Sequence, residues 1–478
     1  MIGLEVHVQL LTTTKIFCSC STRFGAPPNT NVCPVCLGMP GALPVLNRKA
    51  VEFATLAAMA LNCRINETSI FARKNYFYPD LPKGYQISQY DKPLAEYGYI
   101  EVPTGSAKGT GRKKIGITRV HLEEDAGKSL HEGFPDSDEK TGIDLNRTGV
   151  PLIEIVSEPD ISSPDEAHEY LTRLKEIILY TGVSDCNMEE GSLRCDANVS
   201  VRPRGQTEFG TKTEIKNVNS FRFIREALEY EIARQIGVIE SGGTITQETR
   251  LYNANEGKTY GMRSKEQAHD YRYFPEPDLL PLVVDEKLKA EIARGLPELP
   301  EARRARITKD YGITDYDAQV LTFSKSLADQ FEEAARAARN PKRVANLVQS
   351  ELMGRLKAKG LEIEKSPISM RGVAASADLV ESGTISGKML KDLYDLSFER
   401  GKDFPVVYEE EGRPEQSTDM SALEKVIDEL LAANPKQVEQ YRAGKKTVLG
   451  FFVGQVMKAS KGQASPQIVN ELLVKKLS

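Results

Sequence analysis

The sequence predicts an α+β protein in which a part built on an antiparallel sheet is followed by a helical part. Up to about residue 295, segments that alternate between apolar and polar residues are separated by Gly- and Pro-rich turns. Beyond that point, apolar residues recur at helical spacing between Gly and Pro breaks. At about 100–200 residues per domain, 478 residues suffice for about three domains. We expect them at 1–295, 296–404 and 405–478, because Pro-rich or Gly/Glu-rich linkers precede the second and third.

The first part is expected to contain strands and a few helices. The alternating stretches that predict strands are 2–10, 115–122, 194–202 and 211–216. An Ala/Leu-rich stretch predicts a helix over 50–61, and a capping box at Ser163-Pro-Asp-Glu166 opens a helix that runs to Gly182. A further helix is expected from Ser220 to Ile236, stopped by Gly237.

The second part is expected to be a succession of helices. The spacing of apolar residues predicts them over 301–311, 324–339, 342–359, 369–382 and 387–400. A Gly/Pro/Glu-rich break at 401–418 precedes a last group over 421–433, 436–443, 446–459 and 466–477.

Composition and charge exclude several classes of protein. The 63 Lys and Arg against 68 Asp and Glu give a net charge of −5, which excludes a wholly basic nucleic-acid coat. No run approaches the ~18 apolar residues of a membrane helix, and the N-terminus resembles neither a signal nor a transit peptide. We therefore expect a cytoplasmic protein without a membrane segment. Seven cysteines, four of them between residues 18 and 36, are too clustered for a disulfide framework.

The clustered cysteines have the spacing of a zinc site. Cys18-Ser-Cys20 and Cys33-Pro-Val-Cys36 are two close pairs, which can supply four thiolates to a tetrahedral, structural zinc ion. The alternative is a set of free thiols in a turn shaped by Gly and Pro. A deaminase site is excluded, because it requires His-x-Glu and the chain has Glu5-Val-His7.

Polar residues share faces of the predicted strands. Residues two apart lie on one face of a strand, so Glu5, His7 and Gln9 lie together in the first. Asp196 and Asn198 share the polar face of 194–202, and Glu214 that of 211–216. The segment His121-Leu-Glu-Glu-Asp125 ends a strand with three consecutive carboxylates. Such residues bind Mg²⁺ or phosphate, although a solvated sheet face is the alternative.

Familiar catalytic motifs are missing. Gly127-Lys-Ser129 fails as a P-loop because Leu122 stands where the first glycine belongs. The glycine-rich segment 105–111 is best interpreted as a hairpin tip. No Gly-x-Ser-x-Gly motif occurs, and no cysteine and histidine pair is placed as nucleophile and base. We expect an enzyme that works through metal and charge.

Longer motifs resemble a known family. They include Gly3-Leu-Glu-Val-His-Val8, Arg73-Lys-Asn-Tyr-Phe-Tyr-Pro-Asp80, His121-Leu-Glu-Glu-Asp-Ala-Gly-Lys128, Glu189-Glu-Gly-Ser-Leu-Arg-Cys-Asp196, Asp270-Tyr-Arg-Tyr-Phe-Pro-Glu-Pro-Asp278 and Gly450-Phe-Phe-Val-Gly-Gln-Val-Met457. Together they span nearly the whole chain, which resembles the B subunits of glutamyl-/aspartyl-tRNA amidotransferases. The resemblance implies a cradle-shaped kinase domain, a helical linker domain and a tRNA-binding tail of the YqeY type.

The resemblance also implies an activity and partners. ATP would phosphorylate the side-chain carboxylate of Glu-tRNA(Gln) or Asp-tRNA(Asn), and ammonia from glutamine would displace the phosphate. An amidase, the A subunit of such enzymes, would hydrolyse glutamine, and the small C subunit would complete a heterotrimer. Which misacylated tRNA is used stays open, as do the ATP contacts.

The resemblance assigns roles to individual residues. It implies that His7, Glu124 and Glu214 bind Mg²⁺, with Glu5 beside them. It places Lys74 and Asp196 near the mouth of an ammonia channel.

Two other interpretations compete with this one. A zinc-ribbon RNA-binding adaptor would need no such set of polar residues and would usually be basic. An archaeal relative specific for Glu-tRNA(Gln) would carry a large inserted domain, and no insertion of that size interrupts the chain.

The tail has a charge asymmetry. Residues 405–444 carry nine acidic and four basic side chains, whereas residues 445–478 carry six lysines and one glutamate. This favours a phosphate-binding patch for tRNA at the end of the chain, with a solvated helix surface as the alternative.

Overall fold

The computed structural model describes residues 1–104, 111–262, 270–415, 420–460, 464 and 466–477. The chain forms two compact units, Met1–Leu299 and Pro300–Ser478. The division into three domains remains a prediction. Most of the predicted hairpin tip at 105–111 lies outside the described residues, as does Lys461 of the tail.

The first unit is built around a nine-stranded sheet. The strands of the chain are β1 Ile2–Gln9, β2 Arg64–Ile65, β3 Thr68–Ser69, β4 Phe71–Asn75, β5 Tyr85–Gln89, β6 Ala95–Thr104, β7 Gly111–Glu124, β8 Lys128–Leu130, β9 Gly142–Asp144, β10 Pro151–Ser157, β11 Leu193–Val199, β12 Thr213–Lys216, β13 Thr249–Asn253, β14 Lys258–Gly261, β15 Phe274–Pro275 and β16 Leu282–Val283. The large sheet has the order β14-β13-β12-β11-β1-β10-β7-β6-β2. Neighbouring strands in this sheet are antiparallel, except that β12 and β13 are parallel. A smaller sheet has the order β15-β4-β5, and two strand pairs, β16-β3 and β8-β9, complete the set.

The alternation in β1 determines which side of the sheet is buried. Ile2, Leu4, Val6 and Val8 are at most 1% exposed, whereas the residues between them are half-buried. Burying one such side chain stabilises the fold by about 1.5–3 kcal/mol. These side chains share one hydrophobic core with residues of three helices, including Ala54, Leu171 and Leu228. The predicted alternation is confirmed, and it leaves the polar face of β1 on the other side of the sheet.

Four helices belong to the first unit: α1 Arg48–Ala60, α2 Pro164–Thr181, α3 Phe221–Glu240 and α4 Glu286–Ala293. The predicted start and stop of α2 are confirmed, since the Ser163 hydroxyl accepts a hydrogen bond from the Glu166 amide and Gly182 ends the helix with φ +70°. Helix α3 continues past Gly237, where a stop was predicted. A glycine inside a helix costs only about 1 kcal/mol, and the helix ends at Ser241.

The second unit is helical, as predicted. Its helices are α5 Pro300–Tyr311, α6 Asp315–Leu321, α7 Lys325–Ala337, α8 Pro341–Leu347, α9 Met353–Lys359, α10 Met370–Glu381, α11 Gly387–Arg400, α12 Phe404–Glu410, α13 Met420–Ala433, α14 Pro435–Arg442, α15 Val448–Ala459 and α16 Pro466–Leu477. A π-helical turn, Val348–Leu352, joins α8 to α9, and a short 3-10 helix spans Ile363–Lys365.

The second unit contains two hydrophobic cores. One includes residues from Ile307 to Val407, and the other includes residues from Leu423 to Leu477. Helix α12 lies inside the predicted break at 401–418, which is a correction. It forms because Asp403 caps it and because Phe404 and Val407 are fully buried in the first of these cores. None of the helices in the described parts of the chain is both long and apolar enough to cross a bilayer.

Candidate active site

Three side chains from neighbouring strands meet on the polar face of the large sheet. His7 on β1 is paired in register with Glu154 on β10. The His7 Nε2 atom lies 3.7 Å from a Glu154 carboxylate oxygen and 3.6 Å from a carboxylate oxygen of Glu123 on β7. One donor atom from each residue falls within 4.8 Å of the others. A nitrogen and two carboxylate oxygens at these separations can surround one divalent cation, and we call the three residues the metal group.

A buried histidine stabilises the charge of the metal group. His121 lies two residues before Glu123 on the same face of β7, and its Nε2 atom is 3.3 Å from Glu154 and 3.7 Å from Glu123. Burial opposes its protonation, but Glu154 and Glu123 raise the pKa of His121 to about 9. Burial likewise opposes ionisation of Glu154, but His121, His7 and Lys74 lower its pKa below the usual range. Both carboxylates are therefore held ionised.

Lys74 approaches the same group from the smaller sheet. It lies on β4, and its Nζ atom is 4.8 Å from the ring centre of Tyr271 and 5.9 Å from that of Tyr76. Although burial lowers its pKa, the charges of Glu123 and other neighbours raise it overall. Lys74 is thus a stable cation beside the metal group.

A second group of carboxylates lies next to the metal group on the same face. Glu5 is paired in register with Asp196, and its carboxylate accepts a hydrogen bond of 3.0 Å from Asn198. The ammonium of Lys216 is 3.5 Å from Asp196 and 3.3 Å from Glu214. Burial, together with the charges of Glu154, Glu214 and Asp196, raises the pKa of Glu5. Glu5 can therefore take up a proton more readily than an exposed glutamate.

Glu124 lies on the opposite side of β7 from His121 and Glu123. Its carboxylate bonds to the Lys83 ammonium and accepts a 2.9 Å hydrogen bond from the Ile87 amide. Together with Cys36 it lines a small cavity near the cysteine loop. Residues one apart on a strand face opposite ways, so Glu124 does not reach His7.

The metal group thus differs from the ligand set that the resemblance implied. Among the described residues, the structure groups Glu123 and Glu154 with His7, whereas Glu214 lies in the second group of carboxylates. The sequence contains a signal for Glu123, because it shares strand parity with His121. A signal for Glu154 is also present, since it is the single charged residue in the apolar strand β10.

The four clustered cysteines come together. Sulfur atoms of Cys18, Cys20, Cys33 and Cys36 lie within 4.8 Å of one another, so they can hold a zinc ion. A hydrogen bond from Cys18 and the charge of Lys15 lower the pKa of Cys36 to about 4. The Lys15 ammonium, which is fully buried, lies 3.6 Å from the Cys36 sulfur. It offsets part of the negative charge that four thiolates would bring.

A cavity of about 500 Å³ opens on the polar face at the start of β1. Gly3, Glu5 and Asn198 lie on its strand side, and Phe209 and Lys212 contribute from the loop before β12. The Phe209 ring is 58% exposed, and the Arg202 guanidinium lies over it, 5.3 Å from the ring centre. A volume of this size suits a small organic ligand.

The fold and the site define a protein in which a sheet-based unit, with a histidine and carboxylate cluster on its polar face, is followed by a helical unit. The family model of the GatB/GatE catalytic domain matches residues 1–290, and that of the GatB domain of the Yqey type matches residues 329–477. The chain therefore belongs to the GatB family, as its motifs predict.

Curated relatives agree with this assignment. The B subunit of the aspartyl/glutamyl-tRNA(Asn/Gln) amidotransferase of Carboxydothermus hydrogenoformans is 58% identical over 478 residues, covering 100% of this chain and 98% of the relative. The protein of the same name from Geobacter sulfurreducens is 55% identical over 477 residues, with the same coverage.

Proposed function

We propose that the chain is the catalytic B subunit of a tRNA-dependent amidotransferase. In this proposal ATP phosphorylates the side-chain carboxylate of Glu-tRNA(Gln), Asp-tRNA(Asn) or both, and ammonia then converts the acyl phosphate to the amide. The observation that carries the proposal is the metal group of His7, Glu123 and Glu154 on the sheet of a GatB-family catalytic domain. A non-catalytic RNA-binding adaptor is disfavoured, because RNA binding alone does not require a cluster of one histidine and two carboxylates.

The chemistry requires positive charge at this face. Joining the γ-phosphate of ATP to a carboxylate brings two anions together. Mg²⁺ held by His7, Glu123 and Glu154 would supply charge neutralisation when bound. Lys74, which is cationic beside this group, is placed to bind an oxygen of the phosphate or of the substrate carboxylate.

The second group of carboxylates suits the amidation step. Ammonium has to lose a proton before it can attack the acyl phosphate. Glu5 and Asp196 are candidate acceptors, and the raised pKa of Glu5 favours such a role. The resemblance assigns Glu214 to the metal, and its pairing with Lys216 instead suggests that it holds this neighbouring group in place.

The cavity beside Glu5 is our proposed place for the nucleoside of ATP. Gly3 lies four residues before His7 on β1, which is about 13 Å at 3.3–3.4 Å per residue. A triphosphate chain can bridge such a distance. Phe209 would stack on the base, and Lys212 would lie near the phosphates.

The remaining features fit a multi-subunit enzyme. The sequence carries no nucleophile motif for glutamine hydrolysis, so we propose that an amidase partner supplies ammonia and that a further small partner completes the complex. Zinc in the cysteine cluster would stabilise the cradle-like first unit without taking part in chemistry, because four thiolates leave no open coordination position.

The test is co-expression of the chain with candidate amidase and small partners, followed by an assay of ADP release. We expect ADP release that requires Glu-tRNA(Gln) or Asp-tRNA(Asn), and glutamine-dependent formation of the amidated product. ADP release of equal rate with uncharged tRNA would overturn the proposal.

A further inference from the structure

An arginine beside the metal group is held by a buried carboxylate. Arg194 on β11 is the register partner of His7, and its Nη2 atom donates a 3.0 Å hydrogen bond to Asp125. The Asp125 side chain is only 4% exposed. Its other oxygen accepts a 2.8 Å hydrogen bond from Gln9. Asp125 is thus an anchor fixed from two sides.

The anchor is tied to the metal group through the strands. Asp125 lies two residues beyond Glu123, and its partner Gln9 lies two residues beyond His7. Each of the two therefore follows a proposed metal ligand on the same face. Opposite residues of an antiparallel pair have their Cα atoms about 4.5–5.5 Å apart. The Arg194 guanidinium therefore has a defined position next to the metal group.

Part of the Arg194 side chain remains open to a ligand. The Arg194 side chain is 35% exposed, and Asp125 is its one hydrogen-bond partner in the parts of the chain that the structure describes. An arginine has five N–H donors in a planar fork. The neighbouring cation Lys216, by contrast, is already flanked by Asp196 and Glu214.

Arg147 provides an internal comparison. It also faces Asp125, at 3.6 Å. Its guanidinium, however, donates to the backbone carbonyls of Ala126 and Gly127 at 2.9 and 2.6 Å. Arg147 thus ties the loop after β7 together, whereas Arg194 has donors to spare beside the metal group.

We propose that Arg194 is a catalytic residue that binds the phosphoryl group during its transfer, and that Asp125 and Gln9 are its positioning residues. This inference rests on the proposed function. In the step, a carboxylate oxygen of the aminoacyl side chain bonds to the γ-phosphorus of ATP. The bond from that phosphorus to the β–γ bridging oxygen breaks, and ADP leaves with the electron pair. Arg194 donates hydrogen bonds to the non-bridging oxygens of the transferred group, on which negative charge has to be stabilised.

The experiment uses the full chain assembled with its partner subunits, ATP and charged tRNA, without glutamine. We expect Arg194→Ala to slow ADP release on the order of 10²–10³-fold, the usual effect of removing one transition-state donor. The loss should appear in kcat, because the contact is strongest in the transition state. Binding of Mn²⁺ and ADP, measured directly, should be unchanged.

Chemical rescue separates catalysis from structure. Millimolar guanidinium chloride should restore part of the activity of Arg194→Ala, and ammonium chloride should restore less. Arg147→Ala is the matched control, since it removes the other arginine at Asp125; it should lower thermal stability and show no rescue. Asp125→Asn should lower kcat less than Arg194→Ala does, because Arg194 remains present but is less firmly held.

Three outcomes would overturn the inference. The first is that Arg194→Ala releases ADP at nearly the rate of the wild type. The second is that its loss of ADP release is matched by a fall in stability or in Mn²⁺ binding. The third is that guanidinium restores ADP release equally in Arg147→Ala. If the wild-type complex itself releases no ADP with charged tRNA, the proposed function fails instead, so the two failures are distinguishable.

Discussion

Glu154→Gln removes one negative charge from the metal group at almost constant side-chain volume. Glu154 lies 3.7 Å from His7 and 3.3 Å from His121. Losing even an outer partner of a metal ligand costs about 10–100-fold in affinity. Losing a ligand should therefore cost at least about 100-fold, or about 2.7 kcal/mol. We expect phosphoryl transfer to be lost to a similar or larger extent.

The same substitution should also lower the pKa of His121. Unit charges about 4 Å apart interact by about 4 kcal/mol at an effective dielectric constant of about 20, and one pKa unit corresponds to about 1.4 kcal/mol. Removing Glu154 should therefore return the pKa of His121 from about 9 to near its ordinary value or below.

The assay is Mn²⁺ binding followed by electron paramagnetic resonance, with Mn²⁺ as a probe for Mg²⁺. Glu124→Gln is the matched control, because it neutralises the residue next to Glu123, whose side chain lies on the opposite side of β7. It should leave Mn²⁺ affinity unchanged. If Glu124→Gln weakens Mn²⁺ binding and Glu154→Gln does not, our choice of ligands is wrong.

Four further predictions follow from the geometry. Elemental analysis should find one zinc per chain, and Cys33→Ser should abolish it and lower stability while sparing Mn²⁺ binding; a zinc-free protein purified without chelator would contradict this. The pKa of His121 is raised in the fold to about 9, so protonated His121 stabilises the folded state. This stabilisation is fully present below about pH 6.5 and is lost as the pH rises to 9. Without Mg²⁺, denaturant unfolding should show a loss on the order of 3 kcal/mol over that range, and His121→Gln should flatten the profile. Gly3→Val should fill the cavity beside Glu5 and weaken ADP binding with little loss of stability, since an added Cβ would meet no atom closer than 3.9 Å; undiminished ADP affinity would place the nucleoside elsewhere. Deleting residues 420–478, which leaves α12 in its core, should weaken tRNA binding and flatten its salt dependence in filter-binding assays, and an unchanged slope would remove the tail as a tRNA-binding element.

The tail lysines are only partly available for tRNA. Lys476 is paired with Asp428 at 2.7 Å, so it contributes less to the proposed patch. Lys445, Lys458 and Lys475 are exposed. Charge counting along the sequence therefore overstates the patch, because it does not show which lysines pair with the acidic helix α13.

Much of the architecture could be predicted from local patterns. The alternation of β1 and β11 follows directly from one buried and one polar side, and the predicted helices of the second unit are present, with shifted ends. Strand β10 lacks this signal, because it is buried along nearly its whole length and is therefore almost uniformly apolar. The short helices α6 and α12 were missed, since seven residues give too little periodicity.

The sequence predicts what kind of site the chain has, but not which residues come together in it. Strand parity places His121 and Glu123 on one face of β7, with Asp125 directly beyond the end of the strand, yet it does not show that β7 lies two strands from β1. That proximity depends on β10, which inserts between them and brings Glu154 to His7. Pairing between distant segments is set by the whole sheet, so no local pattern contains it.

The most direct test of the central claim is to trap the acyl phosphate on tRNA. The assembled complex is mixed with ATP, Mg²⁺ and Glu-tRNA(Gln) or Asp-tRNA(Asn) without glutamine, and hydroxylamine converts the activated side chain to a hydroxamate. We expect one hydroxamate for each ADP released by the wild type, and none from Glu123→Gln or Glu154→Gln. Hydroxamate formation that persists in both variants would show that phosphoryl transfer takes place elsewhere.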